Sequence, residues 1–343
     1  MSKKEGNLAK SMDMIEKAYG VESCYRYGDG IPIRKISAIS TSSIAINEAI
    51  GIGGVPRGRI IEVYGAESSG KSTLTLSMAR EFQRLGEVVV YLDAEHAFDK
   101  EYAVKNGVDT AKLVFSQPDH TEQGLTIVER FIESGKVGLI IIDSIAAMPP
   151  KAELEGEAGS SHMGLQARLM SQTMRRLIAK IHNSKTTVVF INQMRKKIGV
   201  MFGSPNTTTS GEALKYYASI RIQLARTGTN KKGDEVLATN IKAKIVKNKT
   251  ASPYKEAMFD IYFDSGICRM TDLINVAIER KVLVKSGAWY SYNEANIAQG
   301  LEKLRELLKT DQKLFDEIKE EIKKWIKKLR NYLTSKLHYV NKI

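Results

Sequence analysis

Cysteine is nearly missing from this chain: Cys24 and Cys268 are the only two in 343 residues. Two thiols cannot build a disulfide framework or a four-cysteine zinc site, which removes the stapled secreted scaffolds and the zinc-ribbon class. Long hydrophobic runs are missing as well. No stretch approaches the ~18 uninterrupted apolar residues of a membrane helix. The opening Met1-Ser2-Lys3-Lys4-Glu5-Gly6 has no apolar signal region, so the expected compartment is the cytosol, with no membrane partner. Internal repeats and low-complexity tracts are absent too. Negative charge is in short supply: 39 Asp and Glu face 52 Lys and Arg, leaving a net charge of +13. That surplus suits a polyanionic partner, nucleic acid first. The length and the 43% hydrophobic content suit one main domain with small appendages.

What the chain does contain is a phosphate loop. Gly65-Ala66-Glu67-Ser68-Ser69-Gly70-Lys71-Ser72 fits G-x-x-x-x-G-K-[ST], with Thr73 following. A β-branched apolar run precedes it, and a helix-forming run at 74–82 follows. Glycines let backbone N–H groups curl around a polyphosphate, and the new helix adds its positive end. Lys71 reaches the terminal phosphates, and the Ser72 hydroxyl can hold Mg²⁺. A nucleoside triphosphate, ATP with Mg²⁺, is the implied ligand.

Around this loop, apolar strands at 60–64, 88–92, 113–115, 139–142 and 187–191 alternate with helical patterns at 72–85, 100–106, 121–134 and 165–182. Fully apolar strands alternating with helices predict an α/β fold, a mostly parallel twisted sheet with helices on both faces. Leu8, Met12, Ile15 and Tyr19 predict an amphipathic helix before it. After residue 218 the pattern turns to strand pairs, at 220–224, 241–246 and 258–263. From about residue 270 a small α+β module follows. It ends in a helix with the apolar stripe Phe315, Ile318, Ile322, Trp325, Ile326, Leu329 and Leu333, and with a basic opposite face. That stripe is expected to pack on its own domain, not on a membrane.

Three strand ends complete the phosphate chemistry. Asp143 closes the run 139–142, where a parallel sheet sets it beside the loop to hold Mg²⁺ through water. Glu95, in Asp93-Ala94-Glu95-His96, stands where a carboxylate could orient the attacking water; His96 reads as a structural neighbour. Asn192-Gln193 ends the next strand, where an amide can sense the γ-phosphate. Beyond it, residues 194–211 form a long loop without secondary-structure period. Arg195, Lys196 and Lys197 suit phosphates there, and Ile198, Met201 and Phe202 suit bases. A second loop, 155–164, opens the helix that carries Arg168 and Arg175.

In this order, these segments resemble the bacterial RecA recombinase family, over about residues 8–300. The resemblance extends to the loop residues His162-Met163-Gly164, to Val246-Lys247-Asn248-Lys249, and to Gly287-Ala288-Trp289-Tyr290-Ser291-Tyr292. It implies a RecA-like P-loop ATPase core at 34–268, an N-terminal helix and oligomerisation linker at 1–33, and a C-terminal α+β domain at 269–343. It further implies that Glu95 activates water, that Gln193 couples the γ-phosphate to the second loop, and that Asp99 and Tyr102 border the adenine. Lys247 and Lys249 would reach the neighbouring subunit's ATP, in the manner of an arginine finger. Met163, Gly164, Arg168, Ser171, Arg175, Arg195, Ile198 and Gly211 would hold the primary DNA strand. Arg226, Lys242 and Lys244 would attract the incoming one.

The sequence departs from the family pattern at Ala66, where proline is common, and at Ser72, where threonine is. Further departures are Ser210 and Glu212 in the second loop, Tyr216 and Phe263, and a basic terminal helix where many members carry an acidic tail. The expected function is a DNA-dependent ATPase that assembles as a helical homo-oligomer on single-stranded DNA and catalyses homologous pairing and strand exchange with duplex DNA. Promotion of repressor self-cleavage in the DNA damage response is compatible with it. A hexameric RecA-type helicase or motor on the same core is the second reading, although its ring usually carries arginine at the trans position.

Overall fold

The computed structural model describes residues 3–20, 23–26, 36–156, 164–196, 206–208 and 213–325. Two compact units divide the chain, at residues 1–36 and 37–343.

In the first unit, α1 (Lys3–Tyr19) is the helix expected from the spacing of Leu8, Met12, Ile15 and Tyr19, and it starts earlier than that spacing indicates. Gly20 stops it in the left-handed conformation, with its N–H donating to the Glu16 carbonyl. Leu8, Ile15 and Tyr19 stay exposed.

The second unit begins with β1 (Ala38–Ile39), α2 (Ile44–Ile50) and β2 (Val55–Pro56). The central sheet then enters through β3 (Ile60–Gly65), α3 (Lys71–Arg84), β4 (Val88–Asp93), α4 (Lys100–Lys105) and β5 (Leu113–Ser116). It continues with α5 (Thr121–Glu133), β6 (Val137–Asp143), α6 (Lys151–Glu155), α7 (Leu165–Ser184) and β7 (Thr187–Lys196). Next come β8 (Asn206–Thr208), α8 (Ala213–Tyr217), β9 (Ile220–Lys232), β10 (Glu235–Asn248), β11 (Glu256–Tyr262) and β12 (Gly266–Ile267). Among the described residues the strand order is β12-β11-β10-β9-β3-β7-β6-β4-β5. From β9 to β5 the pairs are parallel; β10, β11 and β12 extend the sheet antiparallel.

The apolar strands explain the layering, because alternate side chains point to opposite faces. Ile61, Val63, Val89, Tyr91, Leu139, Ile141, Val189 and Ile191 pack with α2 and α3 in one core. Ile60, Val90, Leu92, Ile140, Ile142, Val188 and Phe190 pack with α5 and α7 in the other. Both faces are therefore covered, as a parallel sheet requires.

The C-terminal module carries α9 (Arg269–Glu279), β13 (Val284–Ser286), β14 (Trp289–Tyr292), β15 (Ala295–Gln299) and α10 (Leu301–Thr310). A further helical stretch covers 312–325. Ile318 and Ile322 are fully buried in this module's own core, with Phe315 packed against it. For these residues the apolar stripe covers its own domain. Ile326, Leu329 and Leu333 lie outside the described residues. No helix among the described residues is long and apolar enough to cross a membrane.

Candidate functional site

The carboxyl ends of β3, β4, β6 and β7 meet at one rim of the sheet, where a parallel topology opens a crevice for a ligand. Backbone geometry sets the phosphate loop there. A side chain at Gly65 would strike the Leu224 carbonyl, and one at Gly70 would strike Ile261. Gly70 also takes φ +85° as the N-cap of α3, while Ser68 accepts φ +54° without being glycine. The loop therefore presents the N-terminal end of a 14-residue helix to the crevice.

Two of the loop's polar side chains bond back to its own backbone. Ser69 Oγ and Lys71 Nζ both donate to the Ala66 carbonyl, at 2.7 and 2.8 Å. Glu67 and Ser68 are exposed at its tip. Burial holds the Lys71 ammonium below its ordinary range, opposed by the charges of Asp143, Glu95 and Glu67. Ser72 Oγ donates to Asp143 Oδ2 at 2.9 Å, and the Tyr91 hydroxyl donates to the same oxygen at 2.6 Å. Burial raises the Asp143 carboxyl, while the Tyr91 and Ser72 hydrogen bonds lower it. Burial and then Asp143 push the Tyr91 hydroxyl well above its ordinary range, so it stays a donor.

Adjacent hydroxyl and carboxylate oxygens fit Mg²⁺, a hard cation that keeps several waters and takes few protein ligands. Among the described residues, no group of three or more His, Cys, Asp or Glu side chains forms a dedicated metal cage. Ser72 and Asp143 would thus share the ion with nucleotide phosphates.

Glu95 leaves β4 toward the same rim. Its Oε1 accepts from Ser144 Oγ at 2.6 Å and from Gln193 Nε2 at 3.0 Å. Glu95 is exposed, Gln193 is half-buried and Ser144 is fully buried. His96, next to Glu95, takes φ +54°. Asp99 caps α4, accepting from the Tyr102 N–H at 2.9 Å. The Tyr102 hydroxyl lies 2.8 Å from Thr73 Oγ1, which ties α4 to the phosphate-loop helix.

Lys247, near the far end of β10, and Lys249, just past it, sit elsewhere. Lys247 Nζ donates to the carbonyls of Lys215 and Tyr216, at 2.5 and 2.9 Å. The Lys249 N–H donates to the Ser219 carbonyl at 2.9 Å. Within one chain they do not join the phosphate loop's hydrogen bonds.

Arg168, Ser171 and Arg175 follow Gly164 along α7 at spacings that share one face, away from buried Met170, Met174 and Leu177. Arg168 and Arg175 are exposed. Arg226 is exposed on β9. Lys242 and Lys244 point from β10 at a shared partner, Glu256, at 2.7 and 3.3 Å. Met163, Ile198, Gly211, Ser210 and Glu212 lie outside the described residues, as does the Arg195 side chain. The Arg195 backbone is in β7, paired with Thr207 of β8.

Several functional neighbours were not singled out in the sequence: Tyr91, Ser144, Glu256 and Asp93. Asp93 is buried and accepts from the Ala97 and Phe98 N–H groups and from Gln117, bracing the turn that carries Glu95. Strand period could have found Tyr91 and Asp93, since both belong to the run leading into Glu95. Glu256 depends on a pairing across β10 and β11 that no local pattern encodes.

Comparison with known proteins decides the family. A model described as "RecA N-terminal domain" matches residues 6–268, and one described as "RecA C-terminal domain" matches 271–327. Protein RecA of Legionella pneumophila (strain Corby) is 50% identical over 320 residues, covering 93% of this chain and 92% of the relative. The chain belongs to the RecA family. Protein RecA of Thioalkalivibrio sulfidiphilus (strain HL-EbGR7) is 49% identical over 316 residues, and that of Azoarcus sp. (strain BH72) is 50% identical over 316; each match covers 92% of both chains. The RecA N-terminal match encloses the phosphate loop, Glu95, Asp143, Gln193, Lys247 and Lys249. The RecA C-terminal match covers the separate core around Leu273, Tyr290 and Ile318.

Proposed function

We propose that the phosphate loop, Glu95 and Gln193 form a switch that converts ATP binding into DNA affinity, in a chain whose family membership makes it a DNA-dependent ATPase of recombinational repair. As a member of the RecA family, it binds ATP with Mg²⁺, assembles as a filament on single-stranded DNA, and pairs that strand with homologous duplex. Promotion of repressor self-cleavage belongs to the same family role. The helicase reading loses its ground here, because both RecA domain models match and the RecA relatives are covered over 92% of their length.

One observation carries the site assignment: Glu95 Oε1 is shared between a buried hydroxyl and the Gln193 amide. In this reading Glu95 orients the water that attacks the γ-phosphate. Gln193 leaves Glu95 for the phosphate oxygens and moves the loop that follows β7. Lys71, Ser72 and the backbone from Gly65 to Thr73 hold the phosphates. Mg²⁺, held by Ser72 and Asp143, would neutralise developing charge on them. Asp99 and Tyr102 border the base.

Lys247 and Lys249 complete the ATP site of the next subunit, so nucleotide state sets filament geometry. The primary strand runs over Met163, Gly164, Arg168, Ser171, Arg175, Arg195, Ile198 and Gly211. The incoming duplex meets Arg226, Lys242 and Lys244. We assign 1–33 to subunit joining, 34–268 to the ATPase core and 269–343 to the C-terminal domain, and place the work in the cytosol.

An ATPase assay with and without single-stranded DNA, run beside Gln193→Ala, tests the coupling. The substitution should leave a residual rate that DNA no longer raises. A Gln193→Ala chain fully stimulated by DNA would remove the assignment.

A further inference from the structure

Beneath the phosphate loop lies a buried polar unit that none of the assigned roles uses. Glu62, on β3, is a carboxylate with no solvent exposure in the middle of an apolar sheet. Burying such a charge is costly unless it is paired and hydrogen-bonded. Here it has both supports. Its Oε2 accepts from Arg221 Nε of β9, and its Oε1 accepts from Asn192 Nδ2 of β7 at 3.0 Å. The Arg221 guanidinium also stacks over Tyr64, 4.7 Å from the ring centroid.

One end of this unit bonds to the switch residue Gln193, and the other faces the strand of Lys247. Asn192 is fully buried, and its Oδ1 accepts from the Gln193 N–H at 3.0 Å, so its amide fixes the peptide from which Gln193 reaches Glu95. At the other end Arg221 stands opposite Lys247 in the β9–β10 register. Burial, Lys249 and Arg221 together hold the Lys247 ammonium below its ordinary range, with Glu62 opposing them. The carboxylate therefore lies between the strand of the switch amide and the strand of the interface lysine. It is bonded directly to the first and, through Arg221, reaches the second.

We propose that Asn192 is a positioning residue for ATP hydrolysis, clamped by the Glu62–Arg221 pair, and that this clamp ties the placement of Gln193 to the strand that carries Lys247. The proposal rests on the roles given above to Gln193 and Lys247. It goes beyond them by naming the side chains that set the Gln193 backbone. Ligand-driven movement of Lys247 would then be felt at Gln193 through two hydrogen bonds and one ion pair inside a single rigid sheet.

The test is a reciprocal exchange of amide and carboxylate in the full-length chain. Asn192→Asp keeps the acceptor for the Gln193 N–H but sets a carboxylate against Glu62. Glu62→Gln replaces the charge that holds Arg221. In the double variant, glutamine at 62 can donate to aspartate at 192 and still accept from Arg221. Steady-state hydrolysis is measured with and without poly-dT, with thermal melting to confirm folding.

Each single variant should lose about tenfold in DNA-stimulated kcat, with KM for ATP moving less than about twofold; the double should recover most of the loss. A fully stimulated Asn192→Asp chain would overturn the proposal, and so would a double variant no better than the worse single. If a single variant does not fold, recovery in the folded double against Asn192→Ala, which lacks both bonds, decides the matter by the same criterion. Gln193→Ala separates the two levels. If it keeps DNA stimulation, the switch assignment fails and the clamp with it. If it loses stimulation while Asn192→Asp keeps it, the clamp alone fails.

Discussion

Gln193 Nε2 lies 3.0 Å from Glu95 Oε1, although their strands β7 and β4 are separated in the sheet by β6. The bond crosses the rim, over the strand that ends in Asp143 and Ser144. It holds the amide and the carboxylate against each other at the rim, beside the end of the phosphate-loop strand. Glu95→Gln should therefore bind ATP and DNA normally but turn over about 100-fold more slowly, giving longer-lived filaments. Filament dissociation after dilution, followed beside phosphate release, checks it. Unchanged turnover would move the base elsewhere.

Lys71 spends its ammonium on the Ala66 carbonyl of its own loop, and burial already lowers its affinity for a proton. A polyphosphate offers that ammonium a charge-assisted partner instead. Lys71→Ala should abolish ATP-dependent DNA binding, read by fluorescence anisotropy of labelled poly-dT with and without ATP. Retention of both hydrolysis and strand exchange would contradict the assignment.

The two lysines offered to the incoming strand are partly engaged. Lys242 and Lys244 share Glu256, whose carboxyl they hold below its usual range. DNA bound there, as proposed, would have to displace or outcompete that carboxylate. Glu256→Gln should tighten duplex binding by the filament, and Lys242→Ala should reduce the slope of log affinity against log salt by about one. Salt titrations of duplex affinity for both variants check this. No change in either would place the secondary strand away from β10.

The core and the C-terminal module are joined by a buried carboxylate. Asp272 accepts from Ser43 Oγ at 2.8 Å and from the Ile44 N–H, and Arg280 pairs beside it with Glu48 at 2.6 Å. Burial pushes the Asp272 carboxyl up to about 7, against these hydrogen bonds. In an unfolded chain the group titrates near ~3.9. The stabilisation from its proton is thus complete below ~4 and is lost as pH rises through about 7. Relative to Asp272→Asn, the unsubstituted chain should lose stability between those limits, with a slope approaching ~1.4 kcal/mol per pH unit, and then level off. Melting curves of both proteins from pH 5 to 8.5 check it. Parallel curves would show that Asp272 stays ionised.

Much of this was legible in the sequence because its physics is local. Gly65, Gly70 and Lys71 announce a phosphate loop by backbone freedom and charge alone. The β-branched runs at 60–64 and 139–142 announce a buried parallel sheet. Asp143, Glu95 and Gln193 follow as strand-end polar residues, since a parallel sheet gathers such ends. The partners that set their chemistry were not legible. Ser144, Glu62, Arg221 and Glu256 take their meaning from neighbours across strands, and a serine or glutamate in a strand pattern carries no mark of whom it faces. Asp272 looks like an ordinary helix-start acid until α2 is packed on it.

The most direct test of the account is a mixing experiment. Glu95→Gln subunits keep Lys247 and Lys249, and Lys247→Ala/Lys249→Ala subunits keep Glu95. If ATP lies between subunits, a filament assembled from both in equal amounts rebuilds a complete site at roughly a quarter of its joints. DNA-dependent hydrolysis by the mixture should then clearly exceed the average of the two separate rates. A mixture no faster than that average would contradict the claim that each ATP site is shared between neighbouring subunits.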